Sequence, residues 1–363
     1  MCGDTTLRSR GVSRSRCGFL RSLLLCLALA NALPALAFES PLDIPARLDG
    51  RLANSPLLAV VNTGERLVAA GLRGGIIVSS DQGTSWIQAQ VPVSVDLVAI
   101  SFPSTKQGWA VGHGGVVLHS EDGGLTWQKQ LDGHEASQLA IEFYARNPEH
   151  VVDAEAFLIK EQNLAVDKET QPFLDVFFVD DQRGYVVGTF NRIFMTDDGG
   201  RNWEPLMHLT DNQQEWHFYA ISGQGGQLYL SGEQGHVWRF DAESKHFIHV
   251  NTPYNGTLFG LSVEQGGEVY AYGMRGSFFR SADQGRSWER LSLPFSSNVM
   301  KVFASPGQLL VVAQGGEIVQ STDGGHSFKP LSPSSPMPYF AAALMDSTHL
   351  ILVGALGVRI EAI

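Results

Sequence analysis

GWAVGHGGVVLHSEDGGLTW, residues 108–127, contains the two patterns that decide the architecture. Its first half sets Trp109-Ala110-Val111 and Val116-Val117-Leu118 either side of a glycine-rich turn, the composition of two short antiparallel strands tightly joined. Its second half, Ser120-x-Asp122-x-Gly124-x-x-Trp127, is a turn signature. The carboxylate accepts local N–H groups, the glycine takes the left-handed conformation, and the aromatic ring packs between strands.

Both patterns recur. The strand–turn–strand phrase returns at Gly71, Gly112, Gly188, Gly232, Gly273, Ala313 and Gly354, at spacings of 41, 76, 44, 41, 40 and 41 residues. A period of roughly 40–45 residues built from short strands is that of a four-stranded propeller blade. The sequence therefore predicts an all-β, seven-bladed β-propeller over residues 38–363, with an insertion at 132–172 between blades two and three. In blade two the strands are expected at Leu97–Phe102, Gly108–Gly112, Gly115–Ser120 and Thr126–Leu131, and in blade one the first strand at Leu57–Asn62. Continuous apolar runs such as Ile76-Ile77-Val78 require strands covered on both faces, as in radially stacked blades.

The aspartate turn occurs five times in register: Asp81 with Trp86, Asp122 with Trp127, Asp198 with Trp203, Asp283 with Trp288, and Asp323 with Phe328. These are the Asp-boxes of bacterial neuraminidase repeats, and their physics is local and structural. Blade four, WRFDAESKHF, lacks the box and calls for a plain hairpin. Blade seven ends at Ile363 after its third strand, and Phe38–Leu48 is expected to supply the fourth, because a bare ladder edge invites aggregation.

The first 37 residues are different in kind. Arg8, Arg10, Arg14, Arg16 and Arg21 precede an apolar run from Leu23 to Ala30, and Ala35-Leu36-Ala37 offers small residues at a cleavage site, which reads as a secretory signal peptide. The run is shorter than the ~20 residues of a spanning helix, so no direct membrane insertion is expected. A lipid anchor on Cys26 is disfavoured by Leu25 before it.

The 363 residues include 26 Lys+Arg, 37 Asp+Glu, 39 Gly and 44% hydrophobic residues, which excludes a disordered chain. Without the leader the balance is 21 basic against 36 acidic residues, too acidic for phosphate-backbone binding, so no nucleic acid is expected. Cys2, Cys17 and Cys26 all lie in the leader. That excludes a disulfide framework and thiolate chemistry in the exported chain, and no metal or cofactor is expected. A monomer exported by this leader to the periplasm is expected.

Strand direction alternates within a blade, so the Asp-box turns share one rim and the second-to-third-strand turns share the other. On that second rim Arg73, Gly114, Phe190, Gln234, Arg275, Gly315 and Leu356 occupy equivalent turn positions. The insertion emerges there too. Ala136, Leu139, Ala140 and Phe143 at helical spacing, stopped by Asn147-Pro148, and a second helical stretch from Asp153 to Val166 predict a helical hairpin, either a lid or a docking arm. Candidate partner-binding residues are Arg73, Phe190, Arg192, Trp216, Gln234 and Arg275.

With its five boxes, its leader, GWAVGHGGVVLHSEDGGLTW and PFLDVFFVDDQRGYVVG (172–188), the chain resembles the photosystem II stability/assembly factor family over roughly residues 40–363. The resemblance implies a non-catalytic scaffold that binds a membrane-protein subunit, its precursor or an envelope complex subunit on the lumenal or exoplasmic side. It also implies an arginine patch, for which Arg73, Arg275 and the neighbouring Arg192 are the available residues. Relatives outside photosynthetic organisms suggest an accessory of a resistance-nodulation-division exporter as an alternative client.

Two other classes share Asp-boxes or propellers. A sialidase-like glycoside hydrolase needs an arginine triad for the substrate carboxylate, a Tyr–Glu nucleophile pair and an acid, and Asn191-Arg192-Ile193-Phe194 is the closest string to its Phe-Arg-Ile-Pro motif. A glycan-binding module would use Trp216 and other ring aromatics as stacking platforms. No metalloprotease, serine-hydrolase or phosphate-loop motif is present.

Overall fold

The computed structural model describes residues 39–167 and 170–363, and the expected leader at 1–37 lies outside the described residues. Seven antiparallel sheets follow one another along the chain, and within each the strands pair in sequence order. Six sheets have four strands and the last has three. Blade 2 is typical, with strands Leu97–Ser101, Gly108–Gly112, Val117–Ser120 and Gln128–Leu131. The first strand of every blade packs against the first strand of the next, and Leu57–Asn62 of blade 1 meets Tyr339–Leu344 of blade 7, which closes the ring.

Second strands are the most enclosed. Leu67–Gly71, Gly108–Gly112, Gly184–Gly188 and Val269–Gly273 are buried at every residue, which is why both alternating faces are apolar. Between blades 2 and 3 the Trp109 indole stacks on Phe178 at 3.6 Å and on His119 at 4.5 Å, and its Nε1 donates to Gln130. Such aromatic pairs add about 0.5–1.5 kcal/mol each beyond area burial.

The recurrent glycine has a steric cause. A Cβ at Gly71 would lie 2.6 Å from the Pro56 carbonyl oxygen, and one at Gly112 would collide with the carbonyl of Asp96. The incoming connection crosses the end of the second strand at that point in each blade. Blade 6 carries Ala313 there instead.

The Asp-boxes share one geometry. Asp81 Oδ1 accepts from the Ser79 hydroxyl and the Ser85 N–H, its Oδ2 accepts from the Ser85 hydroxyl, and Trp86 Nε1 donates to the Gly83 carbonyl. Asp122, Asp198, Asp283 and Asp323 repeat the carboxylate bonds, with Trp127, Trp203, Trp288 and Phe328 following. In blade 4, Asp241 instead accepts from the N–H and hydroxyl of Ser244 in the plain hairpin expected there.

The N-terminal segment does not complete blade 7. Residues 41–49 run along the outer side of blade 1, where Ala46 N–H donates to Val91, Ser94 N–H to Pro41 and Asp49 N–H to the Gln88 side chain. Leu42, 7% exposed, enters the cluster of Val91, Val93, Ala110, Leu118 and Trp127 between blades 1 and 2. Pro41 and Pro45 have no N–H to give to a ladder, so this stretch makes a poor added strand. The third strand of blade 7, Gly357–Ala362, remains an edge. Arg359 and Glu361 on that strand and the turn Leu52–Asn54 packed beside it discourage further pairing.

The insertion is the helical hairpin expected, α1 (Gly133–Arg146) and α2 (Ala154–Asp167). Asp132 and Glu135 form a reciprocal capping box at the start of α1. Ala136, Ala140 and Tyr144 are its buried face, and the Tyr144 ring stacks on Phe157 of α2 at 5.0 Å.

Candidate functional site: the insertion-bearing rim

Tight turns join the second and third strands on the rim that carries the hairpin. Arg73, Phe190, Gln234 and Arg275 adopt left-handed backbone, with φ of 54°, 53°, 55° and 56°, and Gly114 does so at 73°. A non-glycine residue is uncommon there and costs about 1 kcal/mol or more. Neighbouring connections hold the turns: Arg73 N–H donates to Asp96 Oδ1 at 2.8 Å and Arg275 N–H to Asn298 Oδ1 at 3.0 Å. In blades 6 and 7 the left-handed residue is the following glycine, Gly316 or Gly357, so Gly315 and Leu356 are not strict equivalents.

The sequence-predicted rim residues divide into two groups. Arg73, Gln234 and Arg275 are exposed, and neither arginine forms an ion pair among the described residues. Phe190 is 48% exposed with its edge on His217 at 4.5 Å. Trp216 is partly buried in the core of blades 3 and 4, with its ring beside His236, and its N–H is held by Asn212. It is a packed residue and not a projecting anchor.

Arg192 corrects the expected patch. It is 1% exposed, and its guanidinium donates to both oxygens of Glu161, at 2.6 and 2.7 Å, and to the Ser137 hydroxyl at 2.9 Å. Ser137 is on α1 and Glu161 on α2, so this residue fastens both helices to blade 3 and is unavailable to a partner. Lys160 adds a second pin, donating to Glu215 at 2.6 Å and to the Phe190 carbonyl. A cavity of about 500 Å³ remains between α2 and the rim, lined by Phe157, Lys160, Met207, His208, Asp211 and Glu215. Burial, followed by repulsion from His246, lowers the pKa of His208 there to about 4.

A second set of residues was not singled out from the sequence. Every blade has a β-bulge at the same place, one residue into its first strand, between the partner of the repeat Gly or Ala and the next paired residue. The bulged residues are Leu58, Val98, Leu174, Tyr219, Phe259, Met300 and Phe340, all apolar or aromatic and all half-buried. First strands begin at the insertion-bearing rim, so the seven form a collar at that mouth of the central opening. Phe190, His217, Tyr219 and Phe259 run across its edge with successive ring separations of 4.5, 6.4 and 5.8 Å. A bulge re-aims a side chain that the ladder would otherwise constrain. Counted back from the repeat Gly or Ala, these residues stand 13 positions away in blades 1, 4 and 6 and 14 in the other four, so no single column of the aligned repeats contains them.

The next layer inward is mostly small: Ala59, Ala99, Asp175, Ala220, Gly260, Lys301 and Ala341. Asp175 accepts from its neighbour Val176 N–H and from Ile221 N–H of blade 4, both at 2.9 Å. Burial nevertheless raises its pKa to about 6. Lys301, three blades away, makes no hydrogen bond or ion pair among the described residues, and burial holds its ammonium below the usual range while Asp175 opposes that shift.

The family described as "Photosynthesis system II assembly factor YCF48" matches residues 78–149 and 154–251. Photosystem II assembly protein Ycf48 of Synechococcus sp. (strain JA-2-3B'a(2-13)) is 25% identical over 70% of this chain and 80% of its own. The protein of the same name from Synechococcus sp. (strain JA-3-3Ab) is 25% identical over 76% of this chain and 75% of its own. Among solved structures, "YCF48 bound to D1 peptide" superposes with a TM-score of 0.63 at 15% identity, covering 88% of this chain and 99% of that one. "YCF48 from Cyanidioschyzon merolae" gives 0.62 at 14% identity, covering 88% and 98%. By repeat and fold the chain is a seven-bladed propeller, and over residues 78–149 and 154–251 it is similar to the photosystem II assembly factor family.

Proposed function

We propose that this protein is a non-catalytic, monomeric assembly scaffold, exported from the cytoplasm to the periplasm or a lumenal equivalent, that holds a membrane-protein subunit or its precursor on the insertion-bearing rim. The observation that carries the reading is the likeness to photosystem II assembly proteins over 70% and 76% of the chain. One solved neighbour is described as bound to a D1 peptide. Two further relatives, from Synechococcus sp. (strain CC9902) and Picosynechococcus sp., are named assembly lipoproteins, which supports export. Among the described residues no helix is long and apolar enough to cross a membrane.

The channel chemistry supports a binding role over glycoside hydrolysis. Most glycoside hydrolases use two carboxylates about 5–9.5 Å apart, and sialidases a tyrosine nucleophile with its acidic partner. The layer below the collar offers one carboxylate, Asp175, already accepting two backbone N–H groups, with an ammonium as its counterpart. The Asp-box carboxylates are committed to their own turns on the opposite rim.

Photo-crosslinking in the native envelope tests the proposal. A photoreactive residue at Phe190 or Arg275 should trap a membrane protein identifiable by mass spectrometry, and one at Ser85 on the Asp-box rim should not. Adducts formed only from Ser85, or none from any position, would overturn it.

A further inference from the structure

We propose that the bulge collar and Lys301 together form a binding site for an extended peptide segment that presents an apolar side chain close to a carboxylate. The inference rests on the scaffold reading and names the chemistry that the rim would recognise.

Three observations support it. The bulge recurs in all seven blades although the turns beside it vary in residue type, and in every case the residue it frees is apolar or aromatic. Apolar side chains left half-exposed in a closed collar gain from covering by other apolar groups, at about 25 cal/mol per Å² removed from water. The collar is also continuous with exposed Phe190 through His217 and Tyr219, so a chain lying across the rim would meet apolar surface all the way to the opening.

Charge selects the second feature of the ligand. Where most blades place Ala or Gly below the collar, blade 6 places Lys301. Its Nζ lies 5.9 Å from the Phe303 ring centroid and is partnered by no carboxylate or carbonyl among the described residues. Asp175 is occupied by the N–H groups of Val176 and Ile221, so the available ammonium favours an incoming anion. A partly desolvated ammonium is costly when alone and strong when paired. Exposed Arg73 and Arg275 on the surrounding turns reinforce the preference for acidic over basic segments. A peptide fits better than a lipid because the hairpin and turns surround the mouth with hydrogen-bonding groups that an acyl chain would leave unused.

The test is fluorescence anisotropy with the exported chain and a labelled peptide, Gly-Ser-Leu-Phe-Leu-Glu-Gly-Ser. Its Gln-for-Glu counterpart is compared, each in C-terminal acid and amide forms, with laurate as a competitor. The carboxylate peptide should bind, and Lys301→Met should weaken it about tenfold, a loss of about 1.4 kcal/mol, while leaving the neutral peptide unchanged. Phe259→Ala with Phe340→Ala should weaken both. Loss of binding on Gln replacement assigns the side-chain carboxylate; loss only on amidation assigns the chain terminus. Equal affinity of the original protein and Lys301→Met for the carboxylate peptide would overturn the proposal, as would binding of laurate alone. Lys301→Met removes an unpaired ammonium from a confined site, and unchanged melting confirms that the variant is folded. If client crosslinking from Phe190 persists while these variants bind peptide normally, the collar is wrong and the scaffold stands; if crosslinking also fails, the scaffold reading falls with it.

Discussion

The Arg192 guanidinium donates to both carboxylate oxygens of Glu161 with the two side chains 1% and 3% exposed, one on blade 3 and the other on α2. A rim turn and an inserted helix 31 residues apart in sequence are thereby made one rigid piece. Removing either partner leaves a buried charge uncompensated. Arg192→Met or Glu161→Gln should cost about 3–5 kcal/mol and raise amide exchange across α1 and α2 first. Replacing both with apolar residues should recover much of the loss. Denaturant unfolding with hydrogen exchange checks this; a single variant with unchanged exchange in both helices would refute the anchoring role.

The recurrent glycine yields a position-specific expectation. Gly112→Ala brings a Cβ against the Asp96 carbonyl and should destabilise the ring by about 1–3 kcal/mol. Ala313→Gly relieves no such clash and should be mildly destabilising by about 0.5–1 kcal/mol. Equal losses at the two sites in parallel melts would show that the connections do not crowd the second strands as described.

Leu42 ties the N-terminal segment to blades 1 and 2. Leu42→Ala should cost about 2–5 kcal/mol if the segment stays docked, and less if it peels away. Exchange should accelerate at residues 88–95 and not at 357–362. Acceleration confined to the last strand would restore the expectation that this segment completes blade 7.

Two carboxylates should respond to pH with opposite sign. The Ser287 hydroxyl and N–H, with Ser281, lower the pKa of Asp283 to about 2, so its stabilisation is present above the usual value of 3.8 and is lost as pH falls through about 2. Asp283→Asn should therefore flatten the acid limb of the melting curve. Asp175 is raised to about 6 by burial, so its folded state is penalised increasingly from 3.8 upward and fully above about 6. Asp175→Asn should melt higher relative to the original protein at pH 7.5 than at pH 4. The same difference at both pH values would contradict the burial effect.

Legibility followed the range of each interaction. The Asp-boxes and the glycine column were readable because both are local: a carboxylate bonds its own turn, and every blade meets the same incoming connection. The hairpin was readable from helical spacing and the Asn147-Pro148 stop. Arg192 was assigned to the surface because its turn is on the rim, but its burial depends on two helices that the sequence does not dock. Trp216 is a candidate partner-binding residue by its place in a rim connection, yet it is packed by a neighbouring blade. The bulge collar was missed because an apolar residue at a strand start looks like core until the ladder register shows it unpaired.

From the sequence alone came the number of blades, their order and the side on which the insertion leaves, because a repeated local motif with alternating strand direction allows few arrangements. Which arginine faces solvent, where the N-terminal segment binds and what rings the central opening were decided by tertiary structure. Exposure and pairing are set by residues far away along the chain, and the ring must close before those residues become neighbours.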